Sequence, residues 1–157
     1  MDLYLKLITI LASFLVMEFV AWFTHKYLMH GWLWFLHRDH HVIEEGFLER
    51  NDLFFILFAT PSILLIYAGF TYASYSLLLW TGVGIALYGA AYITVHDIFV
   101  HQRIRLLTRT NNRYFRAMRR AHKVHHTTLE KEGAQSFGFL LPHPRYFRDV
   151  QTTASKS

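Results

Sequence analysis

The 157-residue chain contains no cysteine, and only 17% of its residues are charged. The lack of cysteine excludes disulfides, thiolate metal sites, iron–sulfur clusters and cysteine-ligated haem. Between positions 53 and 95 there is no aspartate, glutamate, lysine or arginine. That run is about twice the roughly 20 residues that cross a bilayer as a helix. The composition therefore argues against an ordinary soluble domain and leaves imidazole and carboxylate as the available metal ligands.

Three membrane-spanning helices are predicted, over residues 3–24, 53–70 and 76–98. The first lacks the basic start and the short core of a cleaved signal peptide, so we expect it to be retained. Gly69 and two serines interrupt the long apolar run and indicate a turn at 69–76.

Lysine and arginine are distributed unevenly around these spans. Segment 25–51 has three of them and segment 96–157 has twelve, whereas the turn at 69–76 has none. Basic residues concentrate on the cytoplasmic side, so we expect an N-terminus outside the cell inner membrane. The prediction is one all-α membrane domain over 1–157, with three transmembrane helices. Segments 25–51 and 99–157 would form a cytoplasmic helical cap carrying a dinuclear metal site.

Ten of the eleven histidines fall in two copies of one layout, an H-x4-H pair followed by an H-x2-H-H box. Positions i, i+3 and i+4 lie on one face of a helix, so each box presents three imidazoles in one direction. Positions i and i+5 differ by about 140° on a regular helix. We therefore expect each pair to flank a metal centre or to lie where a helix ends, as Gly31 suggests. The predicted ligands are His25, His30, His37, His40, His41, His96, His101, His122, His125 and His126.

Ten imidazoles are too many for one metal ion, and a duplicated layout favours two ions. About five ligands per metal would leave a coordination position for water or dioxygen. Neutral imidazole suits iron, zinc, copper and nickel. His143 lies outside the pattern and is interpreted as a polar residue without a metal role.

Several acids have the potential to orient these histidines. A ligating histidine usually donates its second N–H to a carboxylate or a carbonyl. Glu18 lies within the first span, seven residues before His25, where a carboxylate is costly. It is interpreted as orienting a histidine, relaying a proton or pairing inside the helical bundle. The acids near the boxes, which are either orienting groups or solvated acids, are Asp39, Asp97, Asp52 and Glu132.

Segment 103–123 has eight basic residues and no acidic one. Its second half predicts an amphipathic helix with Asn111 or Asn112 as N-cap and with histidines on the apolar stripe. The basic face fits contact with anionic membrane lipid, or docking of an acidic electron-transfer protein. Its position beside the membrane argues against a nucleic-acid partner.

The chain resembles the integral-membrane fatty-acid hydroxylase superfamily, and most closely its prokaryotic-type β-carotene 3-hydroxylases. The histidine boxes alone indicate the superfamily, and the intervening residues indicate the carotenoid branch. The resemblance lies in "MEFVAWFTHKYLMHGW", "LHRDHH", "NDLF", "VHDIFVHQR", "AHKVHH" and "KEGAQSFGFL".

This resemblance implies a non-haem di-iron monooxygenase that uses O2 and electrons from a reduced ferredoxin or a similar donor. Oxygen would enter C3 of a β-ionone ring, converting β-carotene to zeaxanthin via β-cryptoxanthin. Ketolated rings are a further implied substrate, which would convert canthaxanthin to astaxanthin.

The residues themselves are consistent with this chemistry. Removing hydrogen from a saturated ring carbon requires an oxidant generated at a redox-active metal, which iron provides and zinc does not. A carotenoid dissolved in the bilayer would bring its ring end between the spans. Three alternatives remain open: a sterol or fatty-acyl hydroxylase or desaturase, a bis-histidine haem carrier, and a non-catalytic metal-binding membrane protein. The aromatic residues that either line the substrate's path or form an interfacial belt are Trp22, Phe23, Trp32 and Trp34.

Overall fold

The structure, a computed structural model, describes residues 2–42, 48–72, 75–106 and 108–148. These residues form helices and connecting loops, and they contain no strand. The predicted turn and the predicted cytoplasmic segments fall partly outside the described residues, at 43–47, 73–74, 107 and 149–157.

Three helical stretches are long and apolar enough to cross a membrane, and they correspond to the three predicted spans. They are Leu3–Trp32, Arg50–Thr71 and Ser76–Val100. The regular helices within and beyond these stretches are α1 (Leu3–Phe23), α2 (Trp34–His41), α3 (Leu53–Thr71), α4 (Ser76–Tyr92) and α5 (Arg113–His125). Two segments of π-helix, Thr24–Trp32 and Ile93–Val100, extend α1 and α4, and a short 3-10 turn, Arg50–Asp52, precedes α3.

Helix α4 packs against both α1 and α3, and small residues permit the close approach. A Cβ atom at Gly84 would overlap Ser13 of α1, and one at Gly82 would lie 2.8 Å from the carbonyl oxygen of Ser62 in α3. The Ser62 hydroxyl donates to the Gly82 carbonyl at 2.8 Å. The outer faces of these helices carry exposed large apolar residues, among them Leu11. Such a surface suits contact with lipid rather than with water.

Helix α5 packs against the end of the third long stretch and carries a buried stripe. The Asn112 side chain caps it by accepting hydrogen bonds from the N–H groups of Tyr114 and Phe115, at 2.9 and 3.3 Å. The guanidinium of Arg119 lies 4.0 Å from the ring centre of Phe99 and donates to the Phe99 carbonyl. Arg119 therefore secures α5 rather than belonging to a solvated basic face. The buried stripe consists of Ala117, Met118, Ala121, His122 and His125.

Candidate metal centre

The first H-x4-H pair lies within the π-helical segment Thr24–Trp32, and the second has His96 in the segment Ile93–Val100 and His101 directly after its end. A π-helix bonds residue i to residue i+5, and the N–H of His101 donates to the carbonyl of His96 at 2.9 Å. The wider turn brings both members of a pair to one side, with ring centres 5.3 Å apart for His25 and His30. A regular α-helix would separate the two members of a pair, as expected from the sequence, but the backbone at these pairs is π-helical, which the sequence analysis did not predict. Gly31, with φ −106° and ψ −126°, interrupts the helical backbone directly after His30, where the sequence predicts a helix end.

Nine of the ten histidines converge in two adjacent groups. We name them the first group (His25, His30, His37, His41 and His125) and the second group (His40, His101, His122 and His126), and the ligand atoms within each lie within 4.8 Å of one another. His96 lies beside the second group, with its ring 4.6 Å from that of His101 and 4.7 Å from that of His122. The groups meet where the rings of His41 and His126 stack at 4.5 Å.

Nε2 atoms point toward the centre of the first group. Three Nε2 pairs lie 3.2 Å apart: His25 with His37, His41 with His37, and His30 with His125. Metal–nitrogen bonds of about 2.0–2.1 Å place adjacent nitrogen ligands of one ion roughly 3.0–3.4 Å apart. The observed spacing is therefore the spacing expected of ligands that share one ion.

Outward-facing Nδ1 atoms fix the protonation of these rings. Nδ1 of His25 donates to the carbonyl oxygen of Phe137 at 3.0 Å. In the same way, Nδ1 of His41 donates to the Thr128 carbonyl and Nδ1 of His125 donates to the Gln135 carbonyl, both at 2.9 Å. His30 bonds the Lys131 carbonyl in the same way, and His37 bonds the Asn51 side-chain oxygen. A carbonyl only accepts, so each Nδ1 carries the proton and each neutral ring leaves Nε2 bare. Bare lone pairs facing one another at 3.2 Å need a cation between them.

Carboxylates support the second group. Nδ1 of His40 donates to Glu49, and Nδ1 of His96 donates to Asp97, both at 2.8 Å. Within the described residues, the buried Nε2 atoms of His40, His96 and His126 have no hydrogen-bond partner. Buried polar atoms normally find a partner, so these three nitrogens are free to bind a metal ion. The residues of both groups therefore fit a pair of metal ions.

Burial keeps the imidazoles neutral. It lowers the pKa of His41 and of His101 to about 4, and lowers that of His125 to about 3. Neighbouring imidazoles act in the same direction, because a second positive charge in a buried cluster is unfavourable. The neutral ring is the form that binds metal.

Glu18 anchors the segment that follows α5. Three consecutive backbone N–H groups, those of Phe139, Leu140 and Leu141, donate to its carboxylate at 3.0–3.2 Å. The Tyr88 hydroxyl donates to it at 2.8 Å. Each of these partners is a donor and none is a histidine, so the carboxylate acts as an acceptor, which favours the pairing interpretation. The anchored segment also carries the Phe137 carbonyl that orients His25.

The other predicted acids have separate contacts. Asp97 reaches a histidine, but Asp39 accepts a hydrogen bond from the Arg50 backbone at 2.6 Å instead. Asp52 pairs with Arg103 at 2.8 Å. Glu132 and His143 are exposed and lie outside both histidine groups.

Sequence reasoning missed the remaining acceptors. Glu49 and Asn51 lie just before α3, within "ERND", and a search for polar side chains within reach of the boxes would have found them. The carbonyl acceptors between 128 and 137 leave no side-chain signature. Of the predicted aromatics, Trp34 packs against the first group, with its ring 5.0 Å from that of His30 and 5.2 Å from that of His41.

Comparison with known proteins identifies the family. The model of the family described as fatty acid hydroxylase matches residues 10–144. The chain belongs to the fatty acid hydroxylase family. Its three long apolar helices agree with this membership and indicate an integral membrane protein.

Relatives in this family share most of the chain. A protein named beta-carotene hydroxylase from Pantoea ananas is 44% identical over 128 residues, which cover 82% of this chain and 72% of the relative. One of the same name from Paracoccus sp. (strain PC1) is 35% identical over 142 residues, covering 88% and 85%. A beta-carotene 3-hydroxylase 2, chloroplastic, from Arabidopsis thaliana is 42% identical over 127 residues, covering 80% and 41%. No solved structure matches the chain.

Proposed function

We propose that this family member is a carotenoid hydroxylase that places a hydroxyl group on C3 of a β-ionone ring. The relatives named beta-carotene hydroxylase support the substrate class. The observation that carries the proposal is the convergence of bare Nε2 atoms in the two histidine groups, beside an apolar helical bundle.

Two iron ions are the proposed cofactors, one held by the first group and one by the second group with His96. Bound iron would supply the redox chemistry that activates O2. Overall, a ring C–H bond, O2, two electrons and two protons give a C–OH group and water. The protein's part is to hold the ligands in place: carbonyls fix the rings of the first group, while Glu49 and Asp97 fix His40 and His96.

The proposed reaction converts β-carotene to zeaxanthin through β-cryptoxanthin, with canthaxanthin as a second substrate that yields astaxanthin. A reduced ferredoxin or a similar protein is the proposed electron donor. Twelve of the sixteen basic residues lie between 96 and 157. This distribution supports an inner-membrane protein with its metal centre on the cytoplasmic side and its N-terminus outside. Reporter fusions at each end of the chain test that orientation.

Expression in a β-carotene-accumulating bacterium tests the activity, with mass spectrometry of the extracted pigments. We expect hydroxylated carotenoids from the wild-type chain and none from His40→Ala, because His40 lies in the second group. His143→Ala is the matched control, because His143 is exposed and outside both groups. Absence of oxygenated carotenoid, with donor and O2 supplied, would contradict the proposal. Lipid analysis of the same cells tests for a hydroxylated or desaturated sterol or acyl chain instead.

A further inference from the structure

An elongated cavity of about 660 Å³ lies between α1, α3 and α4. Its lining extends from Asn51 to Ile66 on one wall and from Ile85 to Ile98 on another. At about 1.5 Å per helical residue, both walls are roughly 20 Å long. A volume of this size lies within the range of pockets that bind small molecules.

The cavity is apolar except at one end. The two hydroxyl groups in its middle are occupied elsewhere, since Ser62 donates to the Gly82 carbonyl and Tyr88 donates to Glu18. The rest of the middle is lined by side chains such as Phe58 and by Ala86. Polar side chains with charged or amide groups line one end, where Asn51, Asp97 and Arg103 lie. A molecule that fits must therefore be long and apolar, with one end presented to the polar residues.

That polar end adjoins both histidine groups. The Asn51 side chain accepts from His37 of the first group, and Asp97 accepts from His96 beside the second. Phe139, a further lining residue, stacks on the ring of His25 at 4.6 Å, and its ring centre is 5.4 Å from that of His96. The end wall of the cavity is thus built from residues that contact the candidate metal ligands directly.

We propose that this cavity binds one terminal ring of a carotenoid and the adjoining part of its polyene chain, with the ring at Asp97 and Phe139. The inference rests on the proposed function and specifies where that substrate binds. A two-ringed carotenoid is roughly as long as the hydrocarbon core of a bilayer, about 30 Å. A cavity about 20 Å long therefore holds one ring and leaves the other in the lipid.

Gly89 keeps the passage open. It lines the cavity, and a Cβ atom added there would meet no other atom within 4 Å. A side chain at this position therefore starts in open space, and we expect a phenyl group there to enter the space that the polyene would occupy. Leu87 offers the matched control, because it lies two residues away on α4, is 49% exposed and does not line the cavity.

The test compares Gly89→Phe with Leu87→Phe in protein reconstituted into lipid nanodiscs. Binding of β-carotene is measured with iron-loaded protein in the absence of a reductant, through the circular dichroism induced in the carotenoid absorption band. We expect Gly89→Phe to weaken binding about tenfold or more, equivalent to about 1.4 kcal/mol. Leu87→Phe should bind as the wild type does. Equal binding by Gly89→Phe and the wild type would overturn the proposal.

A second variant guards against misfolding. Ala86 also lines the cavity and is exposed, so Ala86→Phe narrows the same space from a position that tolerates a larger side chain. Both blocked variants should retain the iron content of the wild type, which separates a filled cavity from a damaged metal centre. If the wild type binds β-carotene but forms no hydroxylated product, the proposed function fails while the binding site stands. If it forms product and neither blocked variant loses binding, the cavity assignment fails alone.

Discussion

The Nε2 atoms of His30 and His125 lie 3.2 Å apart although 95 positions separate the two residues in the sequence. His30 belongs to the first copy of the histidine layout and His125 to the second. His125 nevertheless lies in the first group. Conversely, His40 of the first copy lies in the second group, with its ring 4.9 Å from that of His126. Each group is therefore completed by a histidine from the other copy, and neither copy builds a whole group alone.

Replacing His125 by alanine tests this exchange. The change removes one imidazole from the first group and leaves the members of the second in place. We expect the iron content of the purified protein to fall to about half, because a site missing a ligand binds its metal more weakly. Elemental analysis measures the content, and His143→Ala serves as the control. An unchanged iron content would show that His125 is not a ligand.

The convergence of the boxes follows from sequence, but the exchange between groups does not. The spacing predicts that His37, His40 and His41 share one helix face, and all three are buried in the centre. Adjacent residues still differ by about 100° around a helix. His37 and His41, which are four positions apart, both lie in the first group. His40, which is three positions after His37, lies in the second group. The positions of the neighbouring helices determine which histidine of a box joins which group.

The π-helical segments were also beyond reach of the sequence pattern. An i, i+5 pair looks incompatible with one site when a period of 3.6 residues is assumed. The wider π-turn removes the conflict for His25 with His30, and for His96 with His101. The backbone accepts that geometry where packing of the histidine cluster favours it, and no local residue preference announces it. In contrast, the three spans and the Asn112 cap follow from apolar length and capping chemistry, which are local.

Glu49 supplies a negative charge behind His40, and its removal should weaken metal binding at the second group. Its carboxylate accepts from Nδ1 of His40 at 2.8 Å and lies 3.5 Å from Arg103. Burial raises the pKa of Glu49, and the Arg103 charge opposes that rise. Glu49→Gln keeps an oxygen acceptor but loses the charge. We expect roughly 10-fold lower metal affinity, the lower end of effects seen for such supporting residues.

Competition with a chelator measures the metal affinity of the second group. When only that group is weakened, the chelator should remove its ion before the ion held by the first group. Glu132→Gln is the matched control, since Glu132 is exposed and contacts neither histidine group. Equal chelator resistance in Glu49→Gln and the wild type would show that Glu49 does not support the metal.

Glu18→Ala tests the anchoring of the segment after α5. The change leaves the N–H groups of Phe139, Leu140 and Leu141 without their acceptor, in a site that is buried at Phe139 and partly buried at the other two. Each unsatisfied buried donor costs about 1–3 kcal/mol, so the thermal transition in detergent should fall by several degrees. Tyr88→Phe, which removes only the fourth donor, should produce a smaller decrease.

Iron content separates anchoring from proton transfer at Glu18. Loss of the anchor displaces the Phe137 carbonyl that orients His25, so Glu18→Ala should retain less iron than the wild type. A variant with wild-type stability and iron content but no turnover would contradict the anchoring role and support a proton relay.

The exposed basic residues of α5 should determine how well an acidic electron donor binds. Arg113 and Lys123 are exposed near opposite ends of that helix. The last turn, which contains Lys123, also carries His122 and His125 into the histidine groups. The test variant reverses both charges, with Arg113→Glu and Lys123→Glu in one protein. We expect its KM for an acidic reduced ferredoxin to rise about tenfold, because exposed ion pairs contribute up to about 1 kcal/mol each. Steady-state turnover at varied donor concentration measures the effect. Added salt should reproduce it in the wild type, since the Debye length is only about 10 Å at 0.1 M.

A charge reversal elsewhere in the chain and a different reductant distinguish lost donor docking from a disrupted histidine centre. Lys6→Glu reverses a charge near the start of α1, at the other end of that helix from His25, and should leave the KM unchanged. With dithionite as the electron source, the double variant should turn over as fast as the wild type, because a small reductant needs no protein docking surface. Equal loss with both electron sources would place the defect in the histidine centre. An unchanged KM for ferredoxin in the double variant would show that the donor docks on another surface.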